Sequence, residues 1–496
     1  MDVAPLIVEM LSMLKHRGPD LSGIATRHGA ISAQCLDDIS LCGLSDHMAI
    51  GYNGLLLTKD RFISQPLANN KEDLFLVLDG EIYGIVEGNR VNLHKDLEKY
   101  PSSKLLFHLI ETDQSNLLST ILKVLPKIYG EYSFAVMKKN HIIIARDVMG
   151  IKPLYWGENE DYVAFASERK PLWKLGITVV STFPPGYIGA IDDTMTLHKT
   201  CSLAQPEIID VSLDEAAARV KTQLFSSLKR RLSRVQVNPV AVSFSGGLDS
   251  SLTAKAIEML GTRVILYSVG LDGAHDIEVA ENSASKLDLP LRIRIISPDE
   301  IENYICKVIY AIEESNIMKI GVGIPLYVAS ELANKDKIRV MLTGQGADEL
   351  FAGYDKYLRL LIAQGYEQLQ SELWKDLKQM YHVNLQRDNA VTMANSVGLI
   401  CPFLDLDLVN TAMSLHPQLK IEGPTDFLRK HVLRIVAQNL GLPEYIVSRP
   451  KKSVQYGSGT DKAIRELAKK KGFKHAKDFL HSVFQSIFTP QLCLKT

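Results

Sequence analysis

One short stretch constrains this chain more than any other. Ser245-Gly-Gly-Leu-Asp-Ser-Ser251 lies between the apolar run Val240–Phe244 and the helix-forming run Leu252–Leu260. A buried strand that turns through two glycines directly into a helix is a junction of a parallel α/β sheet. Gly246 and Gly247 can adopt left-handed backbone conformations and let a ligand approach the main chain. The amides of the turn and of the helix start then form an anion nest, to which Ser245, Ser250 and Ser251 add hydroxyls. Asp249 would repel a phosphate unless a divalent cation lay between them. The stretch therefore predicts a site for nucleotide phosphates with Mg2+. No Gly-Lys-Ser or Gly-Lys-Thr occurs, which excludes the Walker loop.

A second loop, Thr343-Gly-Gln-Gly-Ala-Asp-Glu-Leu-Phe-Ala-Gly-Tyr354, follows the apolar run Arg339–Leu342. Ligands of open parallel sheets collect at the carboxyl ends of strands, so Asp249 and Asp348 are expected to face one metal from two strand ends. Around these loops strand and helix patterns alternate. Val240–Phe244, Val264–Val269, Leu291–Ile296 and Arg339–Leu342 read as strands. Ser250–Met259, Ile277–Leu287, Ile301–Glu313 and Pro325–Ala333 read as helices, and the chain reads as helical from about residue 358. This predicts an α/β domain over residues 206–496, a doubly wound parallel sheet with a helical C-terminus. Residues 1–200 have a different texture, with short apolar runs bounded by Gly, Asp or Asn and few helices, of which Ser103–Glu111 and Leu117–Leu125 are the clearest. They predict a separate, sheet-rich, mostly antiparallel domain.

Charge and composition narrow the function classes. Lys+Arg (56) and Asp+Glu (57) nearly cancel, which argues against a basic nucleic-acid binder. No run of about 18 apolar residues predicts a membrane span, and Met1–Met10 lacks the pattern of a secretory signal. Cys35, Cys42, Cys201, Cys306, Cys401 and Cys493 are scattered without metal spacing, as expected of reduced thiols in a cytoplasmic protein. His16, His275 and His431 read as structural or surface groups. The basic stretch Arg465–Lys477 reads as a solvated helix face.

The two glycine loops, with Cys401–Asp405, Arg429–Arg434 and Arg449–Ser453, resemble the synthetase domain of the asparagine synthetase family. The first loop is similar to the pyrophosphatase-type loop of enzymes that split ATP between its α and β phosphates. His16–Asp20, Asp79–Tyr83, Arg146-Asp147 with Gly150–Tyr155, Ala166–Glu168 and Phe183–Gly186 resemble, in order, that family's glutaminase domain. The resemblance covers nearly the whole chain. It implies an N-terminal-nucleophile-like αββα domain, then an ATP-pyrophosphatase domain that makes an acyl-adenylate which ammonia converts to an amide. Carried over by motif, Phe244, Val269, Thr343 and Gly344 would border the adenosine. Ser245, Gly246, Gly247, Asp249 and Ser250 would hold the pyrophosphate arm. Asp249 and Asp348 would hold Mg2+, Lys451 would steady the activated intermediate, and Lys430 would contact phosphate.

The chain also departs from the family's pattern. Position 2, the family's nucleophilic cysteine once Met1 is removed, is Asp. The oxyanion-hole Asn corresponds to Asp79, which would oppose an oxyanion. The glutamine-clamping Arg falls near Gly54, and the Asp that binds the glutamine amine falls near Ser102-Ser103. These losses predict a glutaminase-like domain without glutaminase activity. In the second domain the family's probable base, a Glu, is Gln345, which cannot accept a proton at neutral pH. Glu313 or Glu314 are candidate replacements. The aspartate pocket also differs at Met318–Gly321, Gly398 and Ile400, where Lys319 and Arg387 could supply cations instead.

The resulting expectation is an ATP-dependent carbon–nitrogen ligase with small-molecule substrates: ATP, an amino acid (aspartate by default) and ammonia or glutamine. Two alternatives remain: a ligase for another acid, as in the β-lactam synthetases, and a non-catalytic ATP-binding scaffold. The partner expectations are a homodimer or a separate glutaminase subunit.

Overall fold

A computed structural model of the chain describes residues 2–57, 63–87, 90–92, 100–113, 115–235, 237–451 and 457–492. Two compact units emerge, Met1–Leu203 with Ser486–Thr496, and Ala204–Gln485.

The first unit begins with α1 (Ala4–Met13), β1 (Leu21–Thr26), β2 (Gly29–Ala33) and β3 (Ala49–Gly54). Next come β4 (Leu67–Ala68), β5 (Leu74–Glu87), β6 (Arg90–Asn92), α2 (Ser102–Glu111), α3 (Leu117–Val124), β7 (Ile128–Lys138) and β8 (His141–Arg146). It ends with β9 (Tyr155–Glu158), β10 (Val163–Ala166), α4 (Lys170–Lys174), β11 (Ser181–Thr182), β12 (Tyr187–Ile191) and β13 (Met195–Lys199). A seven-stranded sheet runs β13-β12-β8-β7-β5-β4 with β6 on β5, and two three-stranded sheets run β2-β1-β3 and β10-β9-β11.

Strand alternation divides the large sheet's side chains between two cores. Leu74, Leu76, Leu78, Phe134 and Val136 pack with α2 and α3. Phe75, Val77, Ala135, Met137 and Ile144 pack with Ile50, Leu154 and Phe165 of the smaller sheets. Met10, Leu14 and Leu172 then join α1 and α4 to Tyr155 and Ala166. The four layers are helix, sheet, sheet, helix, the αββα order expected. The segment ahead of His16 is the helix α1. Pro5 in its first turn and the buried Ala4, Met10 and Leu11 favour that state.

The second unit begins with α5 (Leu213–Val235), β14 (Val240–Ser243), α6 (Leu248–Met259), β15 (Val264–Leu271), α7 (His275–Leu287), β16 (Leu291–Ile296), α8 (Ile301–Ile312), α9 (Ile317–Lys335), β17 (Val340–Leu342) and α10 (Ala347–Leu350). It continues with α11 (Asp355–Met380), α12 (Gln386–Met393), β18 (Gly398–Ile400), α13 (Leu406–Ser414), α14 (His431–Asn439) and α15 (Glu444–Val447), and then helices over Thr460–Lys470 and Ala476–Leu492. All five strands are parallel, in the order β16-β15-β14-β17-β18. In chain order this is 3-2-1-4-5. Connections leave β14 toward one edge and later return to its other side, so the strand order reverses between β14 and β17.

Two elements differ from the sequence reading. Helix α9 starts eight residues before Pro325, because Asn316 accepts the amides of Met318 and Lys319 and so caps the earlier start. Strand β18 interrupts the helical tail. Three residues are too few to register a period of two, and pairing with β17 alone defines the strand.

One buried group carries a stability prediction. Lys420 is fully buried, and among the described residues its Nζ has no hydrogen-bond partner. Burial alone pushes its pKa down to about 7. The unfolded chain therefore binds more protons than the folded one between about pH 7 and the ordinary lysine range, and this group's penalty shrinks as pH rises through that window. Lys420→Met should raise stability near pH 7 by on the order of a few kcal/mol. The difference between variant and parent should narrow toward pH 10 in thermal melts, and a constant difference would contradict this account.

Candidate active site at the sheet switch point

The loop after β14 is held open by its neighbours. Gly246 has φ +67°, and a Cβ there would meet the Val279 carbonyl at 2.7 Å. Ser283 of α7 donates to the Gly246 carbonyl at 3.0 Å. Inside the loop the bonds are long: Gly247 N to Ser245 Oγ is 3.4 Å and Ser250 Oγ to the Gly247 carbonyl is 3.2 Å. No side chain caps α6 at Gly247, so the loop's donors stay available to an anion.

The loop after β17 lies directly against it. A Cβ on Gly344 would come within 2.8 Å of Asp249 Cβ, so only glycine allows the two strand ends to close. Phe244, Val269 and Thr343 stand at the ends of β14, β15 and β17, all buried. Phe244 N donates to the Tyr267 carbonyl at 2.8 Å and Thr343 N to the Ile400 carbonyl at 3.1 Å.

This closure brings Asp249 and Asp348 together, and two lysines complete the cluster. Lys430 Nζ donates to both oxygens of Asp249 at 2.8 and 2.7 Å and lies 2.5 Å from Asp348 Oδ1. Lys451 Nζ lies 2.6 Å from Asp348 Oδ2 and 3.6 Å from Asp249 Oδ2. Two carboxylates and two ammonium groups balance. Burial opposes ionisation of Asp348, but the charges of Lys430 and Lys451 overcome it and hold its pKa down to about 2. Lys451, despite burial, is pushed above the ordinary lysine range by Asp348 and Asp249. Lys430 has φ +57° and follows Arg429 at +55°, two successive left-handed residues without glycine's freedom. Strain of that kind is stored where surrounding contacts over-determine it. Here Asp426 Oδ1 accepts the amides of Leu428 and Arg429, Arg429 Nε donates to the Gly353 carbonyl, and His431 Nε2 lies 2.7 Å from Asp426 Oδ2.

Among the described residues no group of three or more His, Cys, Asp or Glu side chains is placed to hold a metal ion. Two hard carboxylates are nonetheless the protein's usual share of a Mg2+ site, whose remaining ligands are substrate phosphates and water. The donor set of Asp249 and Asp348 fits that ion.

The other sequence-selected residues fall in several places. Glu313 is buried at the C-terminal end of α8 with φ +57°. Glu314 is paired with Lys319 at 2.8 Å, and Arg387 with Asp388 at 2.7 Å. Asp405 is the buried counter-ion of Arg230 and Arg231, at 2.5 and 2.6 Å. Residues 452–456 of the Arg449–Ser453 motif, and Cys493, lie outside the described residues.

Sequence reasoning missed Glu349. Its side chain is buried next to Asp348, and Oε1 accepts from Tyr354 Oη at 2.8 Å and Asn384 Nδ2 at 3.0 Å. Burial, then the Asp348 charge, pushes its pKa up to about 7. The available signal was a carboxylate running straight into the apolar Leu350-Phe351-Ala352.

In the first unit Asp2 Oδ1 accepts the amides of Ala4 and Asp46 at 3.1 and 3.0 Å, so it ties the start of α1 to a loop. Asp79 lies 3.2 Å from Lys152 Nζ and 3.5 Å from Arg17 Nη2. Burial pushes its pKa up, but Lys152 and Arg17 prevail and keep it ionised. Ser102 donates to Glu81 Oε2 at 2.6 Å and accepts the Ile82 amide.

A parallel sheet with a glycine nest and paired acids at its switch point is an α/β domain of the ATP-pyrophosphatase type, here in one chain with an αββα unit. Residues 219–368 and 361–489 match the asparagine synthase family, and residues 56–174 match a glutamine amidotransferase domain. The chain is 36% identical to a Methanocaldococcus jannaschii protein provisionally named asparagine synthetase (glutamine-hydrolyzing) 1, over 97% of this chain and 96% of that one. It is 28% identical to asparagine synthetase (glutamine-hydrolyzing) of Sandersonia aurantiaca, over 91% and 83%. Among solved structures, the glutamine phosphoribosylpyrophosphate amidotransferase of B. subtilis aligns with 59% of this chain and 64% of its own, at TM-score 0.33 and 18% identity. The chain belongs to the asparagine synthetase family, carbon–nitrogen ligases that use ATP. Among the described residues no helix is long and apolar enough to cross a membrane.

Proposed function

We propose that this chain makes asparagine from aspartate, ATP and free ammonia through an acyl-adenylate, and that its first unit does not hydrolyse glutamine. The observation that carries this reading is the four-charge cluster of Asp249, Asp348, Lys430 and Lys451 at the switch point. The aspartate side-chain carboxylate attacks the α-phosphorus, the bond to the β-phosphate breaks, and pyrophosphate leaves with the electron pair. Ammonia then forms the C–N bond as AMP departs. Hydroxide is a poor leaving group from a carboxylate, whereas AMP is a good one.

The loop Ser245–Ser250 holds the pyrophosphate arm, and Phe244, Val269, Thr343 and Gly344 border the adenosine. Asp249 and Asp348 would hold Mg2+, which would supply neutralisation of the charge gathering on pyrophosphate. Lys430 moves from carboxylate to phosphate, and Lys451 steadies the adenylate. The proton shed by nitrogen goes to a carboxylate, since the Gln345 amide cannot take it, and Glu313 is assigned that role. In the first unit an ionised Asp79 stands where an oxyanion donor is required, which leaves glutamine thioester chemistry without that donor.

A second reading, amide synthesis on another acid, is favoured by the cations: Lys319 and Arg387 are already paired with Glu314 and Asp388. One experiment separates the readings. Acid-dependent ATP–pyrophosphate exchange across an amino-acid panel should respond to aspartate. Ammonium, but not glutamine, should then yield AMP and amide in equal amounts. Response to a different acid favours the second reading, and no response to any acid rejects both. Glutamine hydrolysis above the buffer rate, abolished by a point change in residues 1–200, would refute the inactive first unit.

A further inference from the structure

Among the described residues, two buried polar atoms beside the cluster have no hydrogen-bond partner. Gln345 Nε2 is a donor without an acceptor, and Glu349 Oε2 is an acceptor without a donor. They lie four residues apart, on either side of the left-handed Gly346 (φ +97°) that opens α10. Leaving such groups unmatched costs about as much as losing a hydrogen bond outright, so an unmatched donor and acceptor in one turn favour an occupant that presents the opposite groups.

Glu349 is also fixed in orientation. Tyr354 Oη and Asn384 Nδ2 both hold Oε1, which leaves Oε2 as the presented atom. Asn384 comes from a π-helical turn, Tyr381–Leu385, between α11 and α12. Such turns insert an extra residue and re-aim side chains, frequently at functional sites. The Glu349 carboxylate lies close enough to Lys451 and Asp348 to feel their charges, which places it beside the reacting groups.

We propose that Glu349 Oε2 and Gln345 Nε2 form the subsite that holds ammonia against the activated carboxyl. Glu349 accepts one N–H of ammonia, leaving its lone pair free. Gln345 donates to the carbonyl oxygen of the acyl-adenylate, where negative charge builds as the N–C bond forms. The C–O bond to AMP breaks, AMP takes the electron pair, and one nitrogen proton is shed to a base outside this pair. A carboxylate at position 345 could only repel that oxygen, so a glutamine there gives the position a donating role. The inference rests on the function proposed above.

The test uses the full chain carrying Glu349→Gln or Gln345→Ala, with exchange and amide formation measured side by side and folding followed by thermal melting. Glu349→Gln replaces the presented acceptor with a donor of the same shape. The ratio of amide synthesis to aspartate-dependent exchange should fall roughly 10- to 100-fold, with a matching rise in the KM for ammonium. Gln345→Ala should lower that ratio through kcat. Amide synthesis falling only in step with exchange or with melting temperature overturns the subsite, as does an unchanged ratio in Gln345→Ala should Glu349→Gln fail to fold. Absence of exchange in the parent chain instead rejects the proposed function.

Discussion

Asp249→Ala is expected to remove acid-dependent pyrophosphate exchange, by roughly a thousandfold or more. The argument is electrostatic. The charge transferred to the departing pyrophosphate has to be met at once by fixed positive charge, and losing a single aimed group of this kind typically costs a factor of 10²–10³. Asp249 does more than one such group. It would hold one side of the proposed cation site, and it accepts both hydrogen bonds from the Lys430 ammonium. Asp249→Asn should behave almost as badly, because the amide keeps the shape but gives up the charge. Exchange measured with aspartate, alongside melting temperature, checks this. Exchange within tenfold of the parent would mean that the cation and the phosphates lie elsewhere.

The second large effect is expected from Lys430→Met. Lys430 is nearly inaccessible and lies between two half-buried carboxylates. Removing it leaves Asp249 and Asp348 facing each other with Lys451 alone, and breaking a buried pair of this kind costs about 3–5 kcal/mol. Its pH signature has a definite sign. In the parent chain Asp348 titrates at about 2, below the ordinary carboxylate range. Its contribution is fully present above about pH 4 and is lost as pH falls through that depressed value. In Lys430→Met the depression shrinks, so the variant should be less stable at neutral pH and its acid-unfolding midpoint should rise. Exchange should fall roughly a hundredfold or more. Lys430→Arg should recover part of the stability and little of the activity, since a planar fork cannot reproduce a point charge shared by three oxygens. An unchanged acid midpoint in Lys430→Met would contradict the pairing.

Several parts of this site were legible before any coordinates. The strand–glycine–helix order around Ser245–Ser251 specifies a parallel strand that turns through glycines into a helix, as β14 and α6 do. The same reasoning around Thr343–Tyr354 specifies a second loop. Helix α1 was hidden because ten residues with scattered apolar positions carry little period, and its packing on β3 at the small Gly51 supplies what the pattern lacks. Glu349 was hidden for a different reason. A carboxylate in sequence reads as solvated until packing shows that Tyr354 and Asn384 enclose it.

The sequence by itself determined where the glycine turns fall and which strands are buried, because backbone freedom at glycine and the periods of strand and helix are local properties. Only the tertiary structure decided which ammonium meets which carboxylate. Lys430 and Asp249 are 181 positions apart, and nothing in their neighbours encodes the pairing. It arises because the strand order turns at β14 and β17 and the strained turn at Arg429-Lys430 delivers its side chain to that gap. Desolvation then makes the arrangement consequential, since charges excluded from water must find each other or lose their ionisation.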